Sequence, residues 1–309
     1  MLDATYPPPV DVLLTLGDPR AIDSAPVRYP FNFNHVEFLR RPDPFRSLLW
    51  PDYQDLYGIG QEDIPALIRM VTDENLAWAG EDTPDVWAPQ HAYRALGQLR
   101  ATEAIQPLIG LFDPLDDDDW FNEEIPDVFG LIGPAAIPAL ATFLADQSHS
   151  LFPHATASNA LERIGRMHPE ARDAAIAALT DQLERFAEND ESLNAYIVTD
   201  LVDLQATEAL PVVERAFAAD RVDLSIMGDW EEAQIAFGVR DTRDTPRPRF
   251  NPLGVELEKV LTGRLGPDPF LNETNPGGGG ATHHRNADKK AKNKKKMADK
   301  SRRQNRKKK

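Results

Sequence analysis

The chain has 309 residues, enough for two ordinary domains or one elongated one, and 41% of them are hydrophobic, enough to pack an interior. It contains no cysteine, which excludes disulfides, cysteine-ligated zinc, iron–sulfur clusters and thiol catalysis. The net charge of −16 joins two unlike parts: residues 281–309 hold ten lysines and four arginines against two aspartates, while residues 1–280 hold 20 basic against 48 acidic residues and a single lysine, Lys259.

The opening "MLDATYPPPVDVLLTLGDPR" lacks a basic segment followed by an apolar run, so no signal peptide is expected. No apolar stretch approaches the roughly 20 residues of a membrane span, and the expectation is a soluble, cytoplasmic chain with no membrane partner. Residues 1–51 contain nine prolines beside Phe31, Phe33, Phe38, Phe45 and Trp50. Proline interrupts long helices, so residues 1–50 predict an irregular arm or cap whose aromatics dock on the first helices.

Two phrases in the body nearly coincide. "LRATEAIQPLIGLF" at 99–112 and "LQATEALPVVERAF" at 204–217 share six of fourteen letters, including an unbroken Ala-Thr-Glu-Ala. Around the first, Ala92, Ala95, Leu96 and Leu99 form one helical stripe; Ile105, Leu108, Ile109 and Phe112 begin a second. Thr102 is placed as the N-cap between them, with Glu103 at the positive end of the next helix. Pro107 falls early in that helix, where a missing N–H costs less. The pattern helix, short turn, helix returns in "VFGLIGPAAIPALATFL" at 128–144, through Phe129, Ile132, Ile137 and Leu140. It returns again at 160–183 through Leu161, Ile164, Ile176 and Leu179, and at 200–217 through Leu201, Leu204, Leu210 and Val213. Leu96, Phe129, Leu161 and Leu201 are separated by 33, 32 and 40 residues. "LYGIGQEDIPALIRMV" at 56–71 is a degenerate earlier copy whose "IPALI" echoes "IPALA" at 137–141. Periodic two-helix units stack because none buries its apolar face alone.

Units of the form A-x-x-A-L-G-x-L … A-I-x-P-L-I resemble HEAT repeats, specifically the short variety first noted in phycobilisome lyases. "HAYRALGQLRATEAIQPLIGLF" at 91–112 carries the resemblance best, and it spans roughly residues 51–220. It implies an all-α fold, an α-solenoid of about five helix-turn-helix units over 51–239; composition adds the irregular N-terminal arm and a disordered C-terminal tail. After it, "VDLSIMGDWEEAQIAFGV" at 222–239 predicts a closing helix or helix pair. Residues 240–276 form a linker with one short helix at 255–265, and 277–309 a glycine tether leading into the basic tail. The resemblance to lyase repeats also implies a bilin lyase or chaperone-like alternative, although fold alone licenses no activity.

No catalytic constellation, metal site or cofactor site stands out. A HEAT-type di-iron hydroxylase needs recurring His-Glu pairs, and none of the seven histidines is followed by glutamate. His91 and His154 recur near the starts of first helices, as ligands or as ordinary hydrogen-bonded histidines. "GLIGP" and "GIG" lack the Lys-Ser/Thr of a phosphate loop, and no G-x-S-x-G elbow occurs.

The sharpest feature of the body is "DPLDDDDWFNEE" at 113–124. Asp116, Asp117, Asp118, Asp119, Glu123 and Glu124 surround Trp120 between two units. One reading is a docking loop in which carboxylates steer a basic protein and Trp120 anchors it. The other is a solvated loop that caps the next helix while Trp120 packs inward. "WAGEDTPDVWAP" at 78–89 is a second acidic loop, so Trp78, Trp87 and Trp120 would form one ridge if both loops leave the same side; equally, they would fill gaps between layers. Trp50 and Trp230 read as end-cap packing.

The tail has three readings: non-specific contact with RNA or DNA phosphates, docking on the acidic body, or a solubilising appendage. Its candidate contact residues are Lys289, Lys290, Lys292, Lys294, Lys295, Lys296, Lys300, Arg302, Arg303, Arg306, Lys307, Lys308 and Lys309. It has no aromatic residue for base stacking, which disfavours sequence-specific RNA reading. Taken together, the sequence predicts a non-enzymatic scaffold that binds an unidentified, basic protein through an acidic surface, with RNA or ribosome association through the tail as the alternative.

Overall fold

A computed structural model describes residues 5–21, 50–77 and 83–247, all within one compact unit spanning Met1–Phe250. Phe31, Phe33, Phe38, Phe45, Trp78, the expected helix at 255–265 and every charged tail residue lie outside the described residues. Among the described residues the secondary structure is helical throughout, with no strand.

Among the described residues thirteen α-helices follow in order: α1 (Tyr53–Tyr57), α2 (Ile64–Val71), α3 (Glu74–Ala77), α4 (Ala88–Gln98), α5 (Ile105–Ile109), α6 (Asp119–Ile132), α7 (Ile137–Ala145), α8 (Leu151–Met167), α9 (Arg172–Leu183), α10 (Glu191–Asp203), α11 (Leu210–Ala218), α12 (Leu224–Met227) and α13 (Trp230–Ala236). Ahead of them the arm forms two 3₁₀ segments, Val10–Thr15 and Pro19–Ala21, rather than a wholly irregular path. Tyr6, Val10 and Leu13 are buried against the helices. Prolines 7–9 precede the first segment, where their missing N–H groups interrupt nothing.

The helices pack in two rows. In the first, α4 lies on α6, α6 on α8, α8 on α10 and α10 on α12; in the second, α5 lies on α7, α7 on α9 and α9 on α11. Apolar stripes explain the order. Ala92, Ala95, Leu96, Ile105, Leu108 and Phe112 are buried, as are Phe129, Leu140, Leu161, Leu179, Leu201 and Val213. Phe112 stands edge-on to Phe121, Phe129 and Phe143, with ring centroids 5.2–6.1 Å apart. Small residues set the spacing in the first row. A Cβ on Gly97 would lie 3.3 Å from the Val128 backbone, and one on Gly165 would lie 2.7 Å from Leu204.

The repeated Ala-Thr-Glu-Ala has a local physical cause. In both copies the preceding helix ends in the same turn: Ala101 N–H donates to Leu96 O and Arg100 N–H to Gly97 O; Ala206 N–H donates to Leu201 O and Gln205 N–H to Val202 O. These paired bonds form a Schellman motif, with Arg100 and Gln205 left-handed at φ 52° and 53°. A 3₁₀ turn then starts each second helix, at Thr102–Ala104 and Thr207–Ala209, each turn burying its alanine. Pro134–Ala136 and Pro169–Ala171 do the same with different letters. Thr102 is therefore not the N-cap. It opens the 3₁₀ turn, and its hydroxyl meets Glu103, 3.3 Å away, instead of a backbone N–H.

Residues 240–247 turn back onto α13 instead of leading away from it. Arg243 pairs with Asp229 (2.5 Å) and Glu232 (3.0 Å), Arg240 with Glu231 (3.1 Å) and Arg247 with Glu232 (3.0 Å). Trp230 packs on Phe217 at 5.6 Å between ring centroids.

Candidate protein-interaction surface

Each first helix runs from a loop to a 3₁₀ turn, and the second returns toward the next loop. Loops and turns therefore sit at opposite helix ends, about 25 Å apart along the 17 residues of α8. Hydrogen bonds tie each end to itself. At the turns, Gln61 donates to Leu99 O, His168 meets Gly130 O, and Arg172 donates to Leu204 O and Gln205 O. At the loops, His149 Nδ1 lies 2.8 Å from Asp113, Gln147 donates to Glu188, and Arg185 donates to Ala145 O. Arg221 then joins Asn189 O to Glu191.

The loop edge gathers charge of one sign. Segments 113–119, 146–150, 184–191 and 220–223 carry twelve carboxylates against two arginines. Several acids are fixed by the fold. Asp118, Asp190 and Asp223 are N-caps of α6, α10 and α12, accepting from backbone N–H groups two or three positions on. Bonds from Ser148 hold the Asp146 carboxyl below its usual range, and bonds from Ser225 do the same for Asp223. Helices in direct contact generally stand about 8–10 Å apart, roughly one Debye length at physiological salt, so the fields of successive loops overlap. The partners of both arginines lie within the edge: Arg221 pairs with Glu191, and Arg185 bonds a backbone carbonyl.

The candidate residues divide between this edge and the interior. Asp117, Asp119 and Glu123 are exposed, while Asp116, Asp118 and Trp120 are half-buried. Asp116 also holds the next loop, its backbone O accepting from Asn122 and its carboxylate from Ser150. Trp87 is half-buried at the end of the 3₁₀ segment Pro84–Trp87, as Trp120 is at the start of α6, and Trp78, the third member of the expected ridge, lies outside the described residues. Phe152, in the first turn of α8, is 57% exposed at this same edge.

Glu124 does not belong to the loop surface. One turn into α6, it is 2% exposed and accepts two bonds from Arg94 of α4, Nε at 2.8 Å and Nη2 at 2.7 Å. Gln90 and the Tyr93 hydroxyl complete its shell, and the Arg94 guanidinium lies 4.9 Å from the centre of the Trp50 ring. Burial and the Glu124 charge push the Tyr93 hydroxyl well above its ordinary value, so it stays a donor. Trp50, itself buried, thus covers Arg94 midway along α4. The periodic position of Glu124, six residues after the N-cap and on the face of Phe121 and Val128, is the signal that separates it from its exposed neighbours.

Both singled-out histidines are structural. His91 is fully buried, its Nδ1 2.6 Å from the Tyr53 hydroxyl and its Nε2 2.9 Å from Gly17 O. Since the carbonyl only accepts, Nε2 carries the proton and Nδ1 accepts from Tyr53. Burial pushes the His91 pKa down to about 4. His154 Nε2 bonds Asp146 O at 2.8 Å, fixing the loop before α8. Among the described residues no group of three or more His, Asp or Glu is placed to hold a metal ion, and no single helix is long and apolar enough to cross a membrane. Comparison with family models, with curated proteins and with solved structures finds no match to this chain.

Proposed function

We propose that this chain is a cytoplasmic, non-enzymatic scaffold: an α-solenoid of about five HEAT-like units whose acidic loop edge engages a basic protein. The serial packing of first helices on first helices and second on second supports the solenoid. One observation carries the function: four successive loops, bonded to one another, place twelve carboxylates on a single edge with two arginines that bond within it. Such a field steers a cationic partner and raises its association rate, while the half-buried Trp120 and exposed Phe152 add apolar area beside it.

The test compares two triple variants of the full chain by fluorescence anisotropy with a labelled oligolysine peptide. One neutralises Asp117, Asp119 and Glu123 on the loop edge; the other neutralises the exposed Glu62, Glu103 and Glu170 at the turns. Both change net charge equally. The proposal expects weaker binding and a shallower salt dependence in the loop variant only. Equal weakening in both would reduce the effect to net charge and defeat it.

The tail favours a second reading, because ten lysines and four arginines in 281–309 match a polyanion. Deleting 277–309 and following ribosome sedimentation tests it; unchanged co-migration removes it.

A further inference from the structure

Two boundaries of the first row solve the same problem differently. At the α4–α6 boundary the buried carboxylate of Glu124 meets a guanidinium delivered by the facing helix. At the α8–α10 boundary two carboxyls are buried together, Glu162 on α8 and Asp200 on α10, 1% and 4% exposed. Asp200 bonds the Ser158 hydroxyl, and Glu162 has arginines only from its own helix, Arg166 at 3.2 Å and Arg163 at 3.6 Å. Arg163 is shared, its Nε lying 3.0 Å from Asp127 on α6.

The surrounding elements supply little more positive charge. Helix α7 and helix α12 carry no ionisable side chain. From α9, Arg172 is turned to Leu204 O, Gln205 O and Glu208, and Asp173 and Asp181 are exposed. Helix α10 adds Asp203, and the turn before α9 adds the exposed Glu170 beside His168. On α13, Glu231 and Glu232 are engaged by Arg240, Arg243 and Arg247. With Glu162 and Asp200 neutral, Arg163 and Arg166 balance Asp127 and Asp203. With both ionised, two extra negative charges stand inside a buried helix–helix boundary, where like charges repel more strongly than in water.

We propose that the α8–α10 boundary is a pH-dependent joint of the stack, closed while Glu162 and Asp200 are protonated and loosened when both ionise. Desolvation, opposed by the two arginines, pushes Glu162 up to about 7; burial and the neighbouring Glu162 charge raise Asp200 well above the ordinary carboxylate range. The sign follows: a carboxyl with a raised folded pKa favours the closed boundary below its ordinary pKa, and that contribution is lost as pH rises through about 7. Arg163 and Arg166, 17% and 16% exposed, put the cluster at the rim of the boundary, within reach of solvent protons.

Hydrogen exchange of the full-length chain tests this, with protection factors corrected for intrinsic exchange, at pH 5.5, 7.0 and 8.5. Protection in 155–167 and 193–203 is expected to fall on the order of 100-fold across that range, while 90–98 and 121–132 change much less. Glu162→Gln and Asp200→Asn, which keep shape and remove the titrating group, should each flatten the profile. If Asp200→Asn fails to fold, Glu162→Gln alone decides. A wild-type profile that is flat, or one that Glu162→Gln leaves unaltered, would overturn the joint.

Discussion

Replacing Arg94 with methionine removes the guanidinium but keeps most of the stem that fills the α4–α6 boundary. Glu124 would then hold its charge at 2% exposure with only Gln90 and Tyr93 as donors, in place of two additional bonds of 2.7 and 2.8 Å. Breaking a buried pair from one side costs about 3–5 kcal/mol, because the remaining charge is not returned to water. Loss of the contact with Trp50 adds about 0.5–2 kcal/mol. With a urea m-value of about 2–3 kcal/mol/M, the midpoint should fall by about 1–3.5 M. Far-UV circular dichroism against urea at pH 7 measures it. The double variant Arg94→Met/Glu124→Gln removes the stranded charge and should recover more than half the loss, a coupling read directly from the cycle. A single-variant cost below about 1 kcal/mol, or a double variant no better than the single, would refute the internal role of Glu124.

Other consequences are separable. With its pKa lowered from 6.5 to about 4, His91 is favoured neutral; its contribution is full above pH 6.5 and is lost as pH drops through 4, by up to about 3 kcal/mol. A stability–pH curve of wild type and His91→Gln that runs parallel between pH 4 and 6.5 would contradict this. At the left-handed positions Arg100 and Gln205, each change to glycine should raise stability by about 0.5–1 kcal/mol, measured as a rise in Tm; a fall would contradict the Schellman geometry. Gly165→Val should destabilise by about 1–3 kcal/mol, since even a Cβ there lies 2.7 Å from Leu204 and 3.2 Å from Ala175. Urea unfolding of that variant indistinguishable from wild type would show that α8 and α10 do not approach closely.

Helices were legible where apolar periodicity is strong. The stripe of Leu96, Leu99, Ile105 and Leu108 lies buried on the two helices it predicts. The turn inside each pair was legible as a repeat but not as a shape. Thr102 looks like an N-cap by residue type, yet the left-handed Arg100 shifts the turn so that a 3₁₀ segment begins there. Propensity scales do not show such a shift, because it depends on two backbone bonds made together. In the acidic run, identity alone could not sort the residues. Asp117, Asp119 and Glu123 face water, Asp118 caps α6, and Glu124 enters the interior because a long-range partner, Arg94, waits 30 positions earlier. The gathering of 113–119, 146–150, 184–191 and 220–223 follows only once the helices are stacked, so Asp113, Asp146, Glu188 and the bridging His149 were not singled out. Glu162 and Asp200 escaped for the same reason.

The most direct measurement of the central claim is a hydrogen-exchange footprint of the full-length chain with and without saturating oligolysine, at low and at physiological salt. The account predicts that new protection falls on 113–119, 146–150 and 184–191 and fades with salt. Protection at 99–104, 133–136 and 168–172 instead, or none at low salt, would contradict it.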